Sequence, residues 1–178
     1  MLHVFAFDKV GVAVGDLYVL DPRPGQGQEG AERGVRLEVR LIAAQPSEGS
    51  IYASRPILID RPIWRADLLE SVAGGPGTFD RTHHHPKMRG WEPDTRQFDD
   101  AMTDDPLGFV AAQLGDLAAL AAGADVDPAA FTDRDAEELR AAVPEIIATT
   151  RALLAGVRSG ELASPPGDVL ESARVGWL

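Results

Sequence analysis

Cysteine is absent from the 178-residue chain, which excludes disulfides, thiol catalysis and thiolate metal ligands. A bound metal ion would therefore need histidine, aspartate or glutamate ligands. Histidine is also scarce, with four in the whole chain. Three of them are consecutive, at His83, His84 and His85, so the sequence offers one place for an imidazole cluster.

Long apolar runs are missing as well. None approaches the roughly 18 residues that a membrane-spanning helix requires. The N-terminal stretch MLHVFAFDKVGV lacks the basic segment and long apolar core of a secretory signal. We therefore predict a cytoplasmic protein with no membrane partner.

Familiar catalytic motifs are absent too. The chain has no Rossmann glycine pattern, no P-loop, no H-E-x-x-H zinc signature and no internal repeat. Ser54 and Ser71 lack the context of a nucleophile elbow, so a Ser-His-Asp hydrolase has no support. The motifs therefore leave open whether the protein is an enzyme.

Basic residues are outnumbered by acidic ones, 17 to 28, and the net charge is −11. This charge opposes non-specific attraction to nucleic acid and argues against such a partner. Residues 1–100 carry 12 basic and 15 acidic side chains, a balance of −3, whereas residues 101–178 carry 5 and 13, a balance of −8. The first part of the chain can therefore accommodate an anion more easily than the second.

The length and the 44% hydrophobic content suit one globular domain with one core. We predict a single domain over residues 1–178. Residues 1–100 form a mainly β half with long loops, and residues 101–178 form a helical half.

Strand signals dominate the first half. Residues 2–7 and 16–20 predict the two strands of a hairpin. Residues 35–41 alternate strictly between apolar and charged side chains, which predicts a strand with one buried face. The charged members of its other face, Arg36, Glu38 and Arg40, are expected to be solvated.

The next segment is harder to assign. Residues 50–60 continue the β pattern, and a break is expected near Pro62 because proline cannot donate a ladder hydrogen bond. Trp64, Leu68 and Val72 then recur at helical spacing. We therefore predict a helix over residues 64–72, closed by the glycines at 74 and 75, with an extended ending as the alternative.

After residue 100 the periodicity becomes helical. Asp105 can cap a helix that begins at Pro106 and carries one apolar stripe as far as Ala121. The acidic pairs at 99–100 and 104–105 are explained by helix capping rather than by a cation site.

A second helix is predicted to start with a capping box at Thr132 and Asp135 and to end at Gly160. Pro144 should kink or divide it. Residues 168–175 predict a short third helix that carries Trp177 towards the body of the protein, with a loose tail as the alternative. Strands followed by helices indicate an α+β fold, with an N-terminal antiparallel β-sheet of about four to six strands packed against two or three C-terminal helices.

The histidine cluster lies in FDRTHHHPKMRGWEP, residues 79–93. If residues 79–85 are extended, His83 and His85 share one face and His84 lies on the other. Residues i and i+2 are roughly 6.5 Å apart along a strand, so both imidazoles could reach one ion. We predict His83 and His85 as ligands of a divalent transition metal. Candidates for a third ligand are Asp60, Glu92, Asp94, Asp99 and His3.

The position of the cluster between the two halves predicts a pocket at the junction of sheet and helices. Arg81 and Arg89 could attract a small anionic molecule into it. Trp91 could form a wall of the pocket, or it could pin its loop to the core, as we expect also for Phe98. The main prediction is a small-ligand or metal-binding α+β domain, with ligand residues Arg81, His83, His85, Arg89 and Trp91.

Other functions fit the same sequence. A non-enzymatic homodimeric protein-interaction module would bury the apolar stripes of its helices across an interface. A metal-free histidine-dependent ribonuclease or phosphodiesterase would use the imidazoles as proton donor and acceptor. In the simplest alternative the histidines belong to a structural loop and have no chemical role.

Overall fold

The computed structural model describes residues 1–26, 29–46, 48–54 and 56–165. It begins with a five-stranded antiparallel sheet in the order β1-β2-β3-β4-β5. The strands are β1 (Leu2–Ala6), β2 (Val10–Leu20), β3 (Ala31–Ala44), β4 (Ile57–Ser71) and β5 (His83–His85). A two-stranded hairpin follows, made of β6 (Met88–Arg89) and β7 (Glu92–Pro93).

The helices come after the strands. They are α1 (Asp100–Asp104), α2 (Pro106–Gly115), α3 (Leu117–Gly123) and α4 (Asp133–Ser159), with a short 3-10 turn at Pro128–Ala130 before α4. The predicted α+β arrangement is therefore confirmed.

Alternate strand residues face the helices and build the core. Val12 pairs with Val39, and Val39 pairs with Trp64, so the three side chains lie on the same face of the sheet. Buried side chains of α2 and α4 complete this core: Val110, Leu114, Leu139, Ile146, Leu153 and Val157. The apolar stripes of the helices are thus covered by the sheet of the same chain.

The other face, which we call the outer face, is polar. It carries Glu32, Arg36, Glu38 and Arg40 from β3, Arg65 and Asp67 from β4, and His83 and His85 from β5. The expectation of a solvated face was wrong for the β3 charges. They are only partly exposed, because they form ion pairs with one another and with β4.

Residues 64–72 differ most from the sequence prediction. Residues 64–71 are not a helix. They form the second half of β4 and pair with β3 from Trp64 to Ser71, and Val72 follows the end of the strand. The strand does not end at Pro62 either. It begins at Ile57 and continues past the proline, where its pairing with β3 is irregular. Such irregular positions tolerate the missing donor of proline.

The first predicted helix is divided in two. Asp116 separates α2 from α3 and caps α3 by accepting from the backbone N–H of Ala119. The two helices are bent by 95° relative to each other. Within the described ranges no single helix has the length and apolar content to cross a membrane, although α2 and α3 together meet those criteria as a bent pair.

The predicted helix starts after residue 100 are otherwise confirmed. Asp99 caps α1 and Asp105 caps α2. The capping box of Thr132 and Asp135 opens α4, which ends at Gly160 with φ of 81°. Pro144 does not divide α4. The predicted helix at 168–175 and Trp177 lie outside the described residues.

Candidate metal centre

Strand β5 consists of the three consecutive histidines and is paired on both sides. His83 lies opposite Asp67 of β4, and His84 lies opposite Ala66. On the other side, the backbone groups of His84 and Gln97 exchange hydrogen bonds of 3.0 and 2.9 Å. The predicted strand over 79–85 is thus shorter than expected, and Phe79 has a left-handed backbone with φ of 47°.

The predicted alternation of the histidines is confirmed. His83 and His85 lie on the outer face, whereas the ring of His84 lies among the core aromatics, with centroids 6.4 Å from Trp64 and 5.1 Å from Phe109. Burial lowers the pKa of His84, which favours its neutral form in the core. A pocket for His83 and His85 between sheet and helices was the wrong expectation, because the outer face points away from the helices.

Asp67 completes the cluster. Its Oδ2 lies 3.4 Å from His83 Nε2 and 3.6 Å from His85 Nε2. All three side chains are buried, and their nearest nitrogen and oxygen atoms lie within 4.8 Å of one another. Across the described residues this is the one group of three or more such side chains with metal-binding spacing. None of the third-ligand candidates from the sequence belongs to it.

Backbone carbonyls fix the orientation of both rings. His83 Nδ1 lies 2.7 Å from the carbonyl oxygen of Arg81, and His85 Nδ1 lies 2.7 Å from that of Asp94. A carbonyl only accepts, so each Nδ1 carries a proton and donates it. The neutral ring then has its lone pair on Nε2, the atom that faces Asp67. Metal-binding histidines are commonly held in this way.

The spacing of these atoms suits metal ligation better than direct hydrogen bonding. With bonds of about 2.0–2.1 Å, the ligand atoms of a tetrahedral zinc site lie about 3.3 Å apart. The two Nε2–Oδ2 distances, 3.4 and 3.6 Å, are close to that value. A charge-assisted N–H···O bond would be shorter, about 2.7–2.9 Å. If both rings are neutral, their Nε2 lone pairs point at the negatively charged carboxylate of Asp67 and repel it. A cation placed between these three atoms makes the arrangement favourable.

Arg36 holds Asp67 from its other side. The guanidinium Nε donates to Asp67 Oδ1 at 2.6 Å, and Nη2 donates to Oδ2 at 3.2 Å. Burial acts to raise the pKa of Asp67, but the hydrogen bonds and the positive charge of Arg36 act in the opposite direction, and the pKa lies well below its usual value. Asp67 is therefore ionised at neutral pH and can serve as an anionic ligand.

A second row of charges borders the cluster. Arg65 lies opposite His85, and its Nη2 is 2.8 Å from Glu38, whose other oxygen is 2.9 Å from Arg40. In this part of the outer face three arginines accompany two carboxylates: Arg36, Arg40, Arg65, Glu38 and Asp67. The region is thus locally positive in a chain of net charge −11.

Two aromatic side chains border the same region. The ring of Phe98 lies 5.6 Å from that of His83, and the ring of Trp91 lies 5.3 Å from the guanidinium carbon of Arg40. Trp91 is 60% exposed and Phe98 is 57% exposed. The expectation that they pin their loop to the core was wrong, because they lie at the surface of the outer face.

The remaining predicted ligand residues have acidic partners within the protein. Arg81 approaches Glu32 at 3.9 Å and Asp80 at 3.8 Å. Arg89 is largely exposed and binds Asp94 at 3.1 Å. The structure thus places Asp67, Arg36 and Arg65 next to the histidines, and a role for Arg81, Arg89 and Trp91 in ligand binding stays a prediction.

Comparison with known proteins gives no match. No family model, no curated protein and no solved structure is significantly similar to the chain. The fold and the site alone therefore define its class: an α+β protein with a buried two-histidine, one-aspartate group that could hold a metal ion.

Proposed function

We propose that the protein binds one divalent transition metal ion through Asp67 Oδ2, His83 Nε2 and His85 Nε2. One observation carries the proposal: both imidazoles direct Nε2 at the same buried carboxylate oxygen, at ligand-to-ligand spacing. Nitrogen and carboxylate ligands suit zinc, and a set of two histidines and one carboxylate also suits iron(II). Zinc is the first ion to test.

The site would offer the metal an open position. Three protein ligands leave the fourth place of a tetrahedral ion to water or to a small anion, as in catalytic rather than structural zinc sites. Arg36, which binds Asp67, and Arg65, which lies opposite His85, would favour an anionic ligand at this place. The metal ion and these arginines together would allow the outer face to bind a small anionic ligand. Arg81, Arg89 and Trp91, which the sequence predicts as ligand-binding residues, are more distant candidates for contacts with it.

The direct test is metal analysis of untagged protein, combined with thermal melts in the presence of zinc. We expect close to one metal ion per chain and a rise in melting temperature, because zinc at 100 times its Kd would stabilise the folded state by about 2.7 kcal/mol. The variants His83→Gln, His85→Gln and Asp67→Asn should each lose both effects, because each removes one ligand.

His3→Gln is the matched control, since His3 belongs to β1 at the opposite edge of the sheet. This variant should keep the metal and the shift in melting temperature. Cobalt-substituted protein would report on the fourth position, because its absorption spectrum should change when phosphate replaces water. Absence of metal and of any shift in the wild type would overturn the proposal, as would metal binding that all three ligand variants retain.

A further inference from the structure

Among the described residues no strand pairs with the outer edge of β1, whereas at the opposite edge of the sheet Gln97 pairs with β5. Phe7 N–H donates to Val10 O, and Asp16 N–H donates to Met1 O. Hydrogen-bonded pairs alternate along an antiparallel ladder, so these two bonds set the pattern for the whole of β1. The N–H and C=O groups of Leu2, Val4 and Ala6 consequently point away from β2.

Strand β1 also lacks the devices that usually protect an exposed edge. Its sequence, LHVFA, contains no lysine or acidic residue and no proline, and its pairing with β2 shows no bulge. The side chains of Leu2 and Val4 are 69% and 44% exposed. An uncharged edge with exposed apolar side chains favours pairing with another strand.

A groove of about 700 Å³ runs between this edge and the C-terminal half of α4. Small residues of α4 line it, including Ala152, Ala155 and Gly156. His3 and Phe5 lie on the face of β1 that is turned towards α4, by the register with β2. The helix therefore leaves space on that side for the corresponding side chains of an added strand.

We propose that two copies of the chain associate through their β1 strands, paired antiparallel about a twofold axis at Val4. In this register Leu2 faces Ala6 of the second copy and Val4 faces Val4, so both Val4 residues use their outward N–H and C=O groups. On the groove side, His3 faces Phe5 of the second copy in each direction. The two five-stranded sheets become one continuous sheet.

The second copy is favoured as the partner because this pairing is self-complementary. A twofold interface requires each surface to fit itself, and every facing pair here joins apolar or aromatic side chains. Two chains of charge −11 repel each other, so a homodimer needs a contact surface without acidic side chains. Strand β1 itself supplies such a surface, and Glu161 is the acidic residue among those that line the groove beside it.

The test is sedimentation equilibrium of the untagged full-length protein between about 1 and 100 µM, with variants at Val4. We expect a wild-type dimer. Val4→Pro removes a donor that β2 does not use, and Val4→Lys places two like charges on the axis, so both should weaken association by about tenfold or more. Leu20→Lys, at an exposed apolar position at the end of β2, is the matched control and should remain dimeric.

Because the chain lacks cysteine, a single Val4→Cys substitution gives an independent test that does not depend on destabilising the edge. Two cysteines facing each other across the axis lie within the range of disulfide geometry, so mild oxidation should produce a covalent dimer. The control variant Leu20→Cys should give little covalent dimer. A monomeric wild type at 100 µM would overturn the proposal, and so would a dimer that keeps its affinity in Val4→Pro and Val4→Lys or that does not crosslink through Val4→Cys.

Discussion

His83 and His85 are oriented by the backbone more than by their neighbours' side chains. The carbonyl groups of Arg81 and Asp94 fix the two Nδ1 protons, and Arg36 fixes the outer oxygen of Asp67. Each proposed ligand thus has a second contact that fixes its orientation. Contacts of this kind commonly change metal affinity by 10–100-fold when they are lost.

Arg36→Gln tests this arrangement at the scale of one residue. We expect zinc affinity to fall by about 10–100-fold, because Asp67 Oδ1 loses its partner and the carboxylate can rotate. The metal-free protein should also lose about 1.5–3 kcal/mol of stability, since a buried carboxylate loses a charge-assisted hydrogen bond. Competition with a zinc-binding dye measures the first effect, and urea unfolding in chelator measures the second.

Arg40→Gln is the control, because Arg40 lies on the same strand and face but binds Glu38 rather than Asp67. Its zinc affinity should stay close to that of the wild type. Tighter zinc binding in Arg36→Gln would contradict the expectation, since it would mean that the guanidinium acts mainly by repelling the ion.

At the level of strands, the structure of the outer face depends on the close approach of β3 to β4. A Cβ atom on Gly34 would lie 2.0 Å from the carbonyl oxygen of Leu68, closer than any real contact. Gly34→Ala should therefore destabilise the protein by about 3 kcal/mol, because the β3–β4 ladder would have to shift. Gly115→Ala, where a Cβ meets nothing within 4 Å, should have little effect. Chemical unfolding of the two variants compares them directly, and equal stability would contradict the predicted clash.

The same strand explains which part of the site was predictable. The H-x-H pair was predicted correctly because alternation along β5 depends only on its being extended. Asp67 was missed because Trp64 and Leu68 lie four apart, a spacing that puts them on one face of either a helix or a strand. Trp64, Ala66 and Leu68 do alternate with charged residues, but the alternation breaks at Leu69, so the helical spacing of Trp64, Leu68 and Val72 fitted equally well. A strand assignment would have made Asp67 conspicuous, because a buried carboxylate needs a partner.

At the scale of the whole molecule, Asp135 connects the two halves of the chain. It closes the capping box of α4 with Thr132, and it also accepts from the backbone N–H of Lys9 at 2.9 Å, in the turn between β1 and β2. Burial acts to raise the pKa of Asp135, but hydrogen bonds from Lys9 and Thr132 outweigh it, so its pKa is lowered. The folded state therefore binds a proton less readily at this position than the unfolded state does.

Acidification should remove the stability that Asp135 contributes. A lowered folded-state pKa gives a contribution that is complete at neutral pH and declines as the pH falls below the ordinary value of 3.8. Asp135→Asn should lose about 1 kcal/mol at pH 7 and show a smaller further loss in acid than the wild type. Thermal melts in chelator across this range measure both. The exposed Asp133→Asn serves as the control, and an acid response of Asp135→Asn equal to that of the wild type would contradict the assignment.

The shortness of β5 has a kinetic consequence for any ion held by its histidines. The ligand atoms are buried, and the strand that carries two of them is three residues long and joined to the Gln97 segment by one pair of hydrogen bonds. If an ion leaves chiefly while this strand is detached from its neighbours, exchange follows the frequency of local opening. Beyond a threshold, adding more chelator would not make release faster. The site would then retain its ion for a time set by strand opening rather than by the strength of its bonds alone.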